Sequence, residues 1–312
     1  MIPVVVGSSP IGHPTSRAHA PPSKWQRPPI APDAVAGDAL AALCGAALAQ
    51  ISANVPGAAR GDDPEYLHQL RVGVRRLLSV LRAFRPLLRR KPVDAVARPL
   101  RKTMRRLGDA RDWDVFLETL KRTRASATLT SQARRKRAAS QSLARELVAS
   151  RVFHAVHART LRWLESEPWR SEEARSEPLV SFARRSLERT HAKLLKRARR
   201  IDWHDIERRH AVRIAMKRLR YGCDFFAGCF APRAVAPFLS RLAALQDTLG
   251  QLNDVAVARV LLDQLAPEGE IAVRRWLARR ERELIASAAK QWGALERKRP
   301  YWRPKQAPLA PH

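Results

Sequence analysis

One pattern occurs twice in this chain, at an interval of 142 residues. The first copy is His68-Gln-Leu-Arg-Val-Gly-Val-Arg-Arg-Leu77, and the second is His210-Ala-Val-Arg-Ile-Ala-Met-Lys-Arg-Leu219. The same interval aligns Phe84 with Phe226 without a gap, and it aligns Asp112 with Asp254 in the same way. A register kept over such a stretch is the signature of an internal repeat, so we predict a core of two related halves.

The spacing of the apolar residues predicts an all-α fold. Ala, Leu and Arg dominate, apolar residues recur three and four positions apart, and no alternating strand pattern is found. We expect Gly108 and Gly250 to end helices in left-handed caps, each followed by an Asp that caps the next helix. Helices are expected at about 34–54, 64–89, 93–108, 112–124, 130–166, 178–200, 204–230, 234–250, 254–266 and 269–297.

Proline marks the ends of the predicted folded region. Eight prolines precede residue 34, so this segment cannot form a helix and is expected to be disordered, as is the proline-rich chain end. An acidic, proline-punctuated stretch separates the two halves. The predicted division is a tail at 1–33, a first helical half at 34–166, a linker at 167–177, a second helical half at 178–298 and a tail at 299–312.

Both copies of the repeated helix carry an apolar face and a cationic face, because a helix advances 100° per residue. The first copy places His68, Arg71, Arg75 and Arg82 opposite Leu70, Val74 and Leu77. The second copy places His210, Arg213, Lys217 and Arg220 opposite Val212, Met216 and Leu219. Basic rows also occur on helix 178–200 and on helix 93–108, where the row includes Arg98, Arg101 and Arg105.

These rows belong to a chain with 59 Lys and Arg against 29 Asp and Glu, a formal net charge of +30. A hydrophobic fraction of 45% excludes a wholly disordered polycation. The rows contain few acidic residues four positions away, which an ordinary solvated helix face would carry. Charge of this size repels itself, and it predicts a polyanionic partner: nucleic acid, an anionic membrane or polyphosphate. A merely solvated basic face is the alternative.

The two repeated histidines have two interpretations. His68 and His210 could donate a hydrogen bond to phosphate, or they could pack at a helix interface. His154 and His157 have no evident third ligand, so we predict neither a metal site nor a cofactor. Three cysteines without a C-x-x-C pattern fit a reducing cytoplasm. No signal peptide is recognised, and the longest strictly apolar run, 39–49, is too short to span a membrane.

Four motifs together make the sequence similar to the CHAD domain, the conserved-histidine α-helical domain. They are H-x-x-R-x-x-x-R-R-L at 68–77, L-G-D-A-R-D-W-D-V at 107–115, H-x-x-R-I-x-x-K-R-L-R-Y at 210–221 and L-Q-D-T-L-G-Q-L-N-D at 245–254. The resemblance covers roughly 34–298. It implies two four-helix bundles related by pseudo-two-fold symmetry, with a basic cavity between them. It also implies binding of inorganic polyphosphate and association with polyphosphate granules.

Carried over by position, this resemblance assigns candidate polyphosphate contacts to both halves. They are His68, Arg71, Arg75, Arg76, Arg82, His210, Arg213, Lys217, Arg218 and Arg220, to which the basic row of helix 93–108 adds Arg98, Arg101 and Arg105. The chain departs from symmetry, since helix 178–200 is basic whereas its counterpart 34–54 is nearly uncharged. A lopsided site is therefore expected.

The resemblance favours a non-enzymatic polyphosphate-binding protein over two alternatives. Nucleic-acid binding suits the charge, but the rows lack the interleaved aromatic residues of single-strand binders. An enzyme is the less favoured alternative, because no Walker A motif, nucleophile elbow or carboxylate pair is found. Many relatives also contain a triphosphate tunnel (CYTH) domain with an E-x-E-x-K strand. Here the nearest string, 281–285, lacks the Lys and lies in a predicted helix, so we expect a stand-alone CHAD protein. The oligomeric state is left open.

Overall fold

The computed structural model describes residues 20–31, 33–266 and 268–303. Within these ranges the regular structure is helical, apart from two isolated β-bridges that pair Val35 with Pro178 and Leu88 with Trp169. The predicted all-α fold is confirmed. The helices are α1 (Ala36–Arg60), α2 (Pro64–Ala83), α3 (Arg90–Arg106), α4 (Gly108–Thr123), α5 (Ala127–Ala149), α6 (Arg151–Glu165), α7 (Glu172–Ser176), α8 (Leu179–Ala198), α9 (Ile206–Phe225), α10 (Pro232–Leu265) and α11 (Ile271–Glu296).

The helix bounds follow the sequence interval of 142 residues. Shifted by this interval, the bounds of α2 coincide with those of α9, and the 3-10 turn Arg85–Leu87 coincides with the turn Ala227–Cys229. The start of α3 and the end of α4 likewise coincide with the start and end of α10. Two helices in the first half therefore correspond to one uninterrupted helix in the second.

The expected glycine caps are wrong. Gly250 lies inside α10, and Gly108 begins α4 directly after a turn at Leu107. Among the glycines in the described ranges, Gly61 at the end of α1 is the one with a positive φ, 80°. The predicted helix 130–166 is also wrong, because it is two helices: Ser150 is extended, and its hydroxyl accepts a hydrogen bond from Phe153 N at 3.2 Å.

Parts of both predicted tails pack against the helices, so their predicted disorder is wrong for residues 20–31 and 299–303. Ser23 exchanges two backbone hydrogen bonds with the side chain of Asn54, at 2.9 and 3.1 Å. Trp302 is 1% exposed and donates its indole N–H to Glu188 at 2.9 Å. Proline prevents helix formation in these segments, but it does not prevent an extended segment from burying a tryptophan. The remaining residues of both predicted tails lie outside the described ranges.

A cluster of three phenylalanines joins elements from both halves of the chain. Phe84 follows α2, Phe182 belongs to α8 and Phe226 follows α9, and all three are fully buried. Their ring centroids lie 5.1 to 5.8 Å apart in tilted and edge-on arrangements, the geometries that aromatic quadrupoles favour. The cluster holds the ends of α2 and α9 together, and these two helices pack against each other.

Helix α1 is long and apolar enough to cross a membrane by length and composition alone, and it is the one such helix in the described part of the chain. Half of its apolar stretch is buried within the protein, and α1 packs along α2. The core of a folded protein explains this composition, because the buried residues recur on one face of the helix.

Phe84→Ala should lower the free energy of unfolding by about 3–5 kcal/mol, because it leaves a cavity where the two halves meet. Denaturant unfolding followed by circular dichroism measures this change. Val152→Ala is the matched control: Val152 is 67% exposed, and a change within about 0.5 kcal/mol is expected there. Equal effects of the two substitutions would contradict the role given to the aromatic cluster.

Candidate functional site

A cavity of about 720 Å³ lies where the ends of α2 and α9 meet α8 and the start of α3. We call it the central cavity. None of the described residues that line it is Asp or Glu. Its cationic lining consists of Arg82, Arg85, Arg90, Arg170, Arg189, Lys193, Arg197 and Arg218.

Helical periodicity explains much of this lining. Arg189, Lys193 and Arg197 are spaced by four residues on α8, so they stand one above another on a single face of the helix. Arg82 projects from α2 and Arg218 from α9, which brings cations from both halves of the chain to one space. The polar side chains of Ser79, Ser186 and Thr190 complete the polar part of the wall.

The cations of the central cavity repel one another with little compensation. The pKa of Arg218 is lowered to about 10, first by burial and then by the charges of Arg82 and Arg197. The pKa of Arg82 is lowered by desolvation and by the charges of Arg101 and Arg85. Within the described ranges, Arg85 is the one lining cation with an ion-pair partner, Asp94 at 2.5 Å. An anion in the cavity would remove this repulsion.

A second group of charges lies between α2 and α9, and we call it the buried network. It consists of three pairs of residues related by the 142-residue interval: Arg71 with Arg213, Arg75 with Lys217, and Asp112 with Asp254. Burial raises the pKa of both carboxyl groups, and the pKa of Lys217 falls to about 7 through burial and the charges of Arg213 and Arg75. Four cations therefore face two carboxyl groups whose ionisation is itself opposed by burial.

Arg71 has a structural task within the buried network. Its Nη1 donates to the carbonyl oxygen of Leu107 and, at 3.0 Å, to that of Gly108. These carbonyls lie at the junction of α3 and α4, so Arg71 ties this helix break to α2. The Nε of Arg213, in contrast, is buried and has no hydrogen-bond partner in the described structure.

The counterpart of the central cavity on the other side of the α2–α9 pair is closed. Residues 20–31, which we call the N-terminal strap, cross this side, and Trp25 stacks 4.7 Å from the guanidinium of Arg76. The interval relates Arg76 to Arg218 and relates Asp224 to Arg82, so one of the two facing cations is replaced by an acid. Arg27 of the strap lies 3.8 Å from this acid. Helix α1, which corresponds to α8, has Ala47, Ile51 and Val55 in place of the basic row of α8.

The two repeated histidines do not line the central cavity. His68 is half-buried in a separate small pocket with Arg71 and Arg111, and its pKa is lowered chiefly by burial. His210 is exposed near the start of α9. Both positions lie about two helical turns or more before Arg82 and Arg218, the residues of the same helices that reach the cavity.

The structure distributes the predicted contacts over several places. Arg82 and Arg218 line the central cavity, and Arg71, Arg75, Arg213 and Lys217 lie in the buried network. Arg76 and Arg220 lie near Asp224 on the closed side. Arg101 lies close to Arg82, Arg98 lines a separate groove beside α3, and Arg105 is exposed farther along that helix.

Six cations of the central cavity are absent from the predicted contacts. Arg189, Lys193 and Arg197 had a recognisable signal, because helix 178–200 shows a basic row in the sequence. The others are Arg85 in a 3-10 turn, Arg90 at the start of α3 and Arg170 in the segment before α7. No helical periodicity points to residues in such connecting segments, so only the tertiary structure identifies them.

Comparisons with known proteins agree with this fold. The crystal structure of the CHAD domain from the plant Ricinus communis matches with a TM-score of 0.73 and 32% sequence identity, over 90% of this chain and 98% of that one. PptA from Streptomyces chartreusis has a similar fold, with a TM-score of 0.65 and 16% identity over 84% of this chain and 98% of its own. A search of the curated proteins finds no match.

The family comparison covers the repeated helices and the cavity between them. The model of the CHAD domain matches residues 42–263, which include α2, α8 and α9 and all four motifs of the sequence resemblance. The chain therefore belongs to the CHAD domain family.

Proposed function

We propose that this protein is a non-enzymatic binder of inorganic polyphosphate and that the central cavity is its binding site. The observation that carries the proposal is the cavity itself: eight Arg and Lys side chains from both halves line it, and none of its described lining residues is acidic. Membership of the CHAD family, to which the sequence resemblance attributes polyphosphate binding, supports the same ligand.

The chemistry of the lining residues suits a chain of phosphates. Arg offers a planar fork that bonds two oxygens of one phosphate, and Lys193 adds a point charge. Each neutralised phosphate releases counterions, so the affinity should fall steeply as salt is added. A flexible polymer can approach several of these cations at once without a defined sequence or shape.

The same cavity is poorly suited to nucleic acid. None of its described lining residues is aromatic, so unpaired bases would find no stacking surface. A volume of about 720 Å³ is that of an ordinary small-ligand pocket, too small to enclose a duplex. These observations favour a thin polyanion without bases.

The lining also supports binding over turnover. Its described residues include no Cys, His, Asp or Glu that could act as a nucleophile or general base. We extend the proposal to action in the cytoplasm, on polyphosphate granules. The cysteines Cys44, Cys223 and Cys229 are all unpaired, which supports a reducing compartment.

We further propose that the two halves are two related four-helix bundles that enclose the cavity. The first bundle would contain α1, α2, the α3–α4 pair and α5, and the second α8, α9, α10 and α11. Equivalent pairs pack together in both: α1 with α2 and α8 with α9, and likewise α4 with α5 and α10 with α11. The shared interval of the helix bounds supports the same division.

Arg82→Glu combined with Arg218→Glu should weaken binding of long-chain polyphosphate by roughly tenfold to a hundredfold, because two attractive charges become repulsive. Titration calorimetry at fixed salt measures the affinity. The matched control is Arg282→Glu with Lys290→Glu, which changes the net charge equally on exposed positions of α11. We expect the control to lose far less affinity.

Two results would overturn the proposed function. In the first, the cavity variant and the control lose affinity equally, which would mean that net charge alone accounts for binding. In the second, duplex DNA displaces polyphosphate from the wild-type protein at equal phosphate concentration, which would favour the nucleic-acid alternative. Circular dichroism establishes that both variants are folded before the comparison is made.

Lys217→Met should stabilise the ligand-free protein at about pH 6 by about 1–3 kcal/mol, because it removes a charge buried beside Arg71, Arg75 and Arg213. The pKa of Lys217 is about 7 in the folded chain against an ordinary value of 10.5. Below pH 7 the folded wild type bears the full cost of this charge. As the pH rises from 7 toward 10.5 the folded state releases the proton and the cost disappears.

Urea unfolding of the wild type and of Lys217→Met at several pH values between 6 and 10 tests this expectation. The stability gain of the variant should shrink steadily over this range. A difference that does not change with pH would contradict the assignment of a strained ammonium group to the buried network.

A further inference from the structure

A groove of about 480 Å³ lies between α3 and α6, beside the central cavity. We call it the α3–α6 groove. Its polar lining consists of Arg90, Lys91, Asp94 and Arg98 on α3 and Arg159 on α6. These side chains place four cations and one carboxylate along an open channel formed by two helices that pack together.

The groove runs along α3. Arg90, Asp94 and Arg98 are spaced by four residues and therefore share one face of the helix. With a rise of 1.5 Å per residue, Arg90 and Arg98 lie about 12 Å apart along the helix axis. Arg159 forms the opposite wall. The groove therefore offers cations over a length of several phosphate units.

The α3–α6 groove is continuous with the central cavity. Arg90 lines both spaces. Arg85 of the central cavity and Asp94 of the groove form a two-point ion pair at 2.5 and 2.7 Å, so their walls are joined. A polyanion that leaves the central cavity past Arg90 meets this groove directly.

The one carboxylate of the groove does not neutralise its cations. Both oxygens of Asp94 accept hydrogen bonds from Arg85, which lowers the pKa of Asp94 and keeps it charged. Within the described ranges, Arg90, Lys91, Arg98 and Arg159 are absent from the ion pairs, and three of them, together with Arg159, are exposed to solvent. The positive charge of the groove is thus available to a ligand.

The second half of the chain provides an internal comparison. The positions on α10 that correspond to Arg90, Asp94 and Arg98 are Pro232, Ala236 and Ser240. The repeated helix scaffold therefore does not require charge at these positions. The basic row is particular to α3, the helix that borders the central cavity at Arg90.

We propose that the α3–α6 groove is a second phosphate subsite, which holds the continuation of a polyphosphate chain bound in the central cavity. This inference rests on the proposed function and adds a preference for chain length. Short phosphates fill the central cavity alone, whereas long chains reach the groove as well and gain affinity because the second contact is intramolecular. The groove thus makes the protein selective for polymer over oligomer.

Arg98→Gln combined with Arg159→Gln tests the subsite, with Arg282→Gln combined with Lys290→Gln as the matched control. The groove variant should bind long-chain polyphosphate roughly tenfold more weakly, with a salt dependence shallower by about two counterions. Its affinity for tripolyphosphate should stay within about twofold of wild type, since the central cavity is intact. The control should match wild type for both ligands.

The outcomes separate the two proposals. If the groove variant binds long-chain polyphosphate as tightly as the control does, the subsite is wrong while the central cavity stands. If it loses tripolyphosphate and long-chain polyphosphate equally, the groove carries no length preference and the inference is again overturned. If the wild-type protein retains neither ligand, the proposed function itself fails.

Discussion

The packing of α2 against α9 is the constraint on which the rest of the structure depends. These two helices carry the repeated motif, so each brings its own cationic row to the contact, and Arg75 and Lys217 come to lie near Arg213. Such a contact is unfavourable electrostatically. It is held by apolar burial at the helix ends, where Phe84 and Phe226 meet in a fully buried cluster. The fold thus uses hydrophobic energy to keep positive charges close together.

A duplicated scaffold can be kept while its two sides acquire different roles. On one side Arg82 faces Arg218, and α8 adds its basic row, so the space is open and cationic. On the other side an acid, Asp224, lies near Arg76, and the N-terminal strap covers the guanidinium with Trp25. The backbone interval is the same on both sides. A few side chains and one extended segment decide which side can admit a ligand.

The parts of this structure that could be predicted are those governed by helical periodicity and by the repeat. The apolar spacing placed α2 and α9, and the interval paired Phe84 with Phe226. The central cavity was harder to predict, because Arg85 and Arg170 reach it from connecting segments whose direction only tertiary packing defines. The N-terminal strap was missed for a related reason: proline content predicts the absence of helix, not the absence of packing.

The clustering of cations also explains why Arg outnumbers Lys so strongly, 48 to 11, among the basic residues. Burial and mutual repulsion lower the pKa of every cation held in such a cluster. Arg218 starts from 12.5 and falls to about 10, so it stays charged at neutral pH. Lys217 starts from 10.5 and falls to about 7, so it loses half of its charge there. A cavity that must remain cationic while it is empty can therefore be built from Arg far more readily than from Lys.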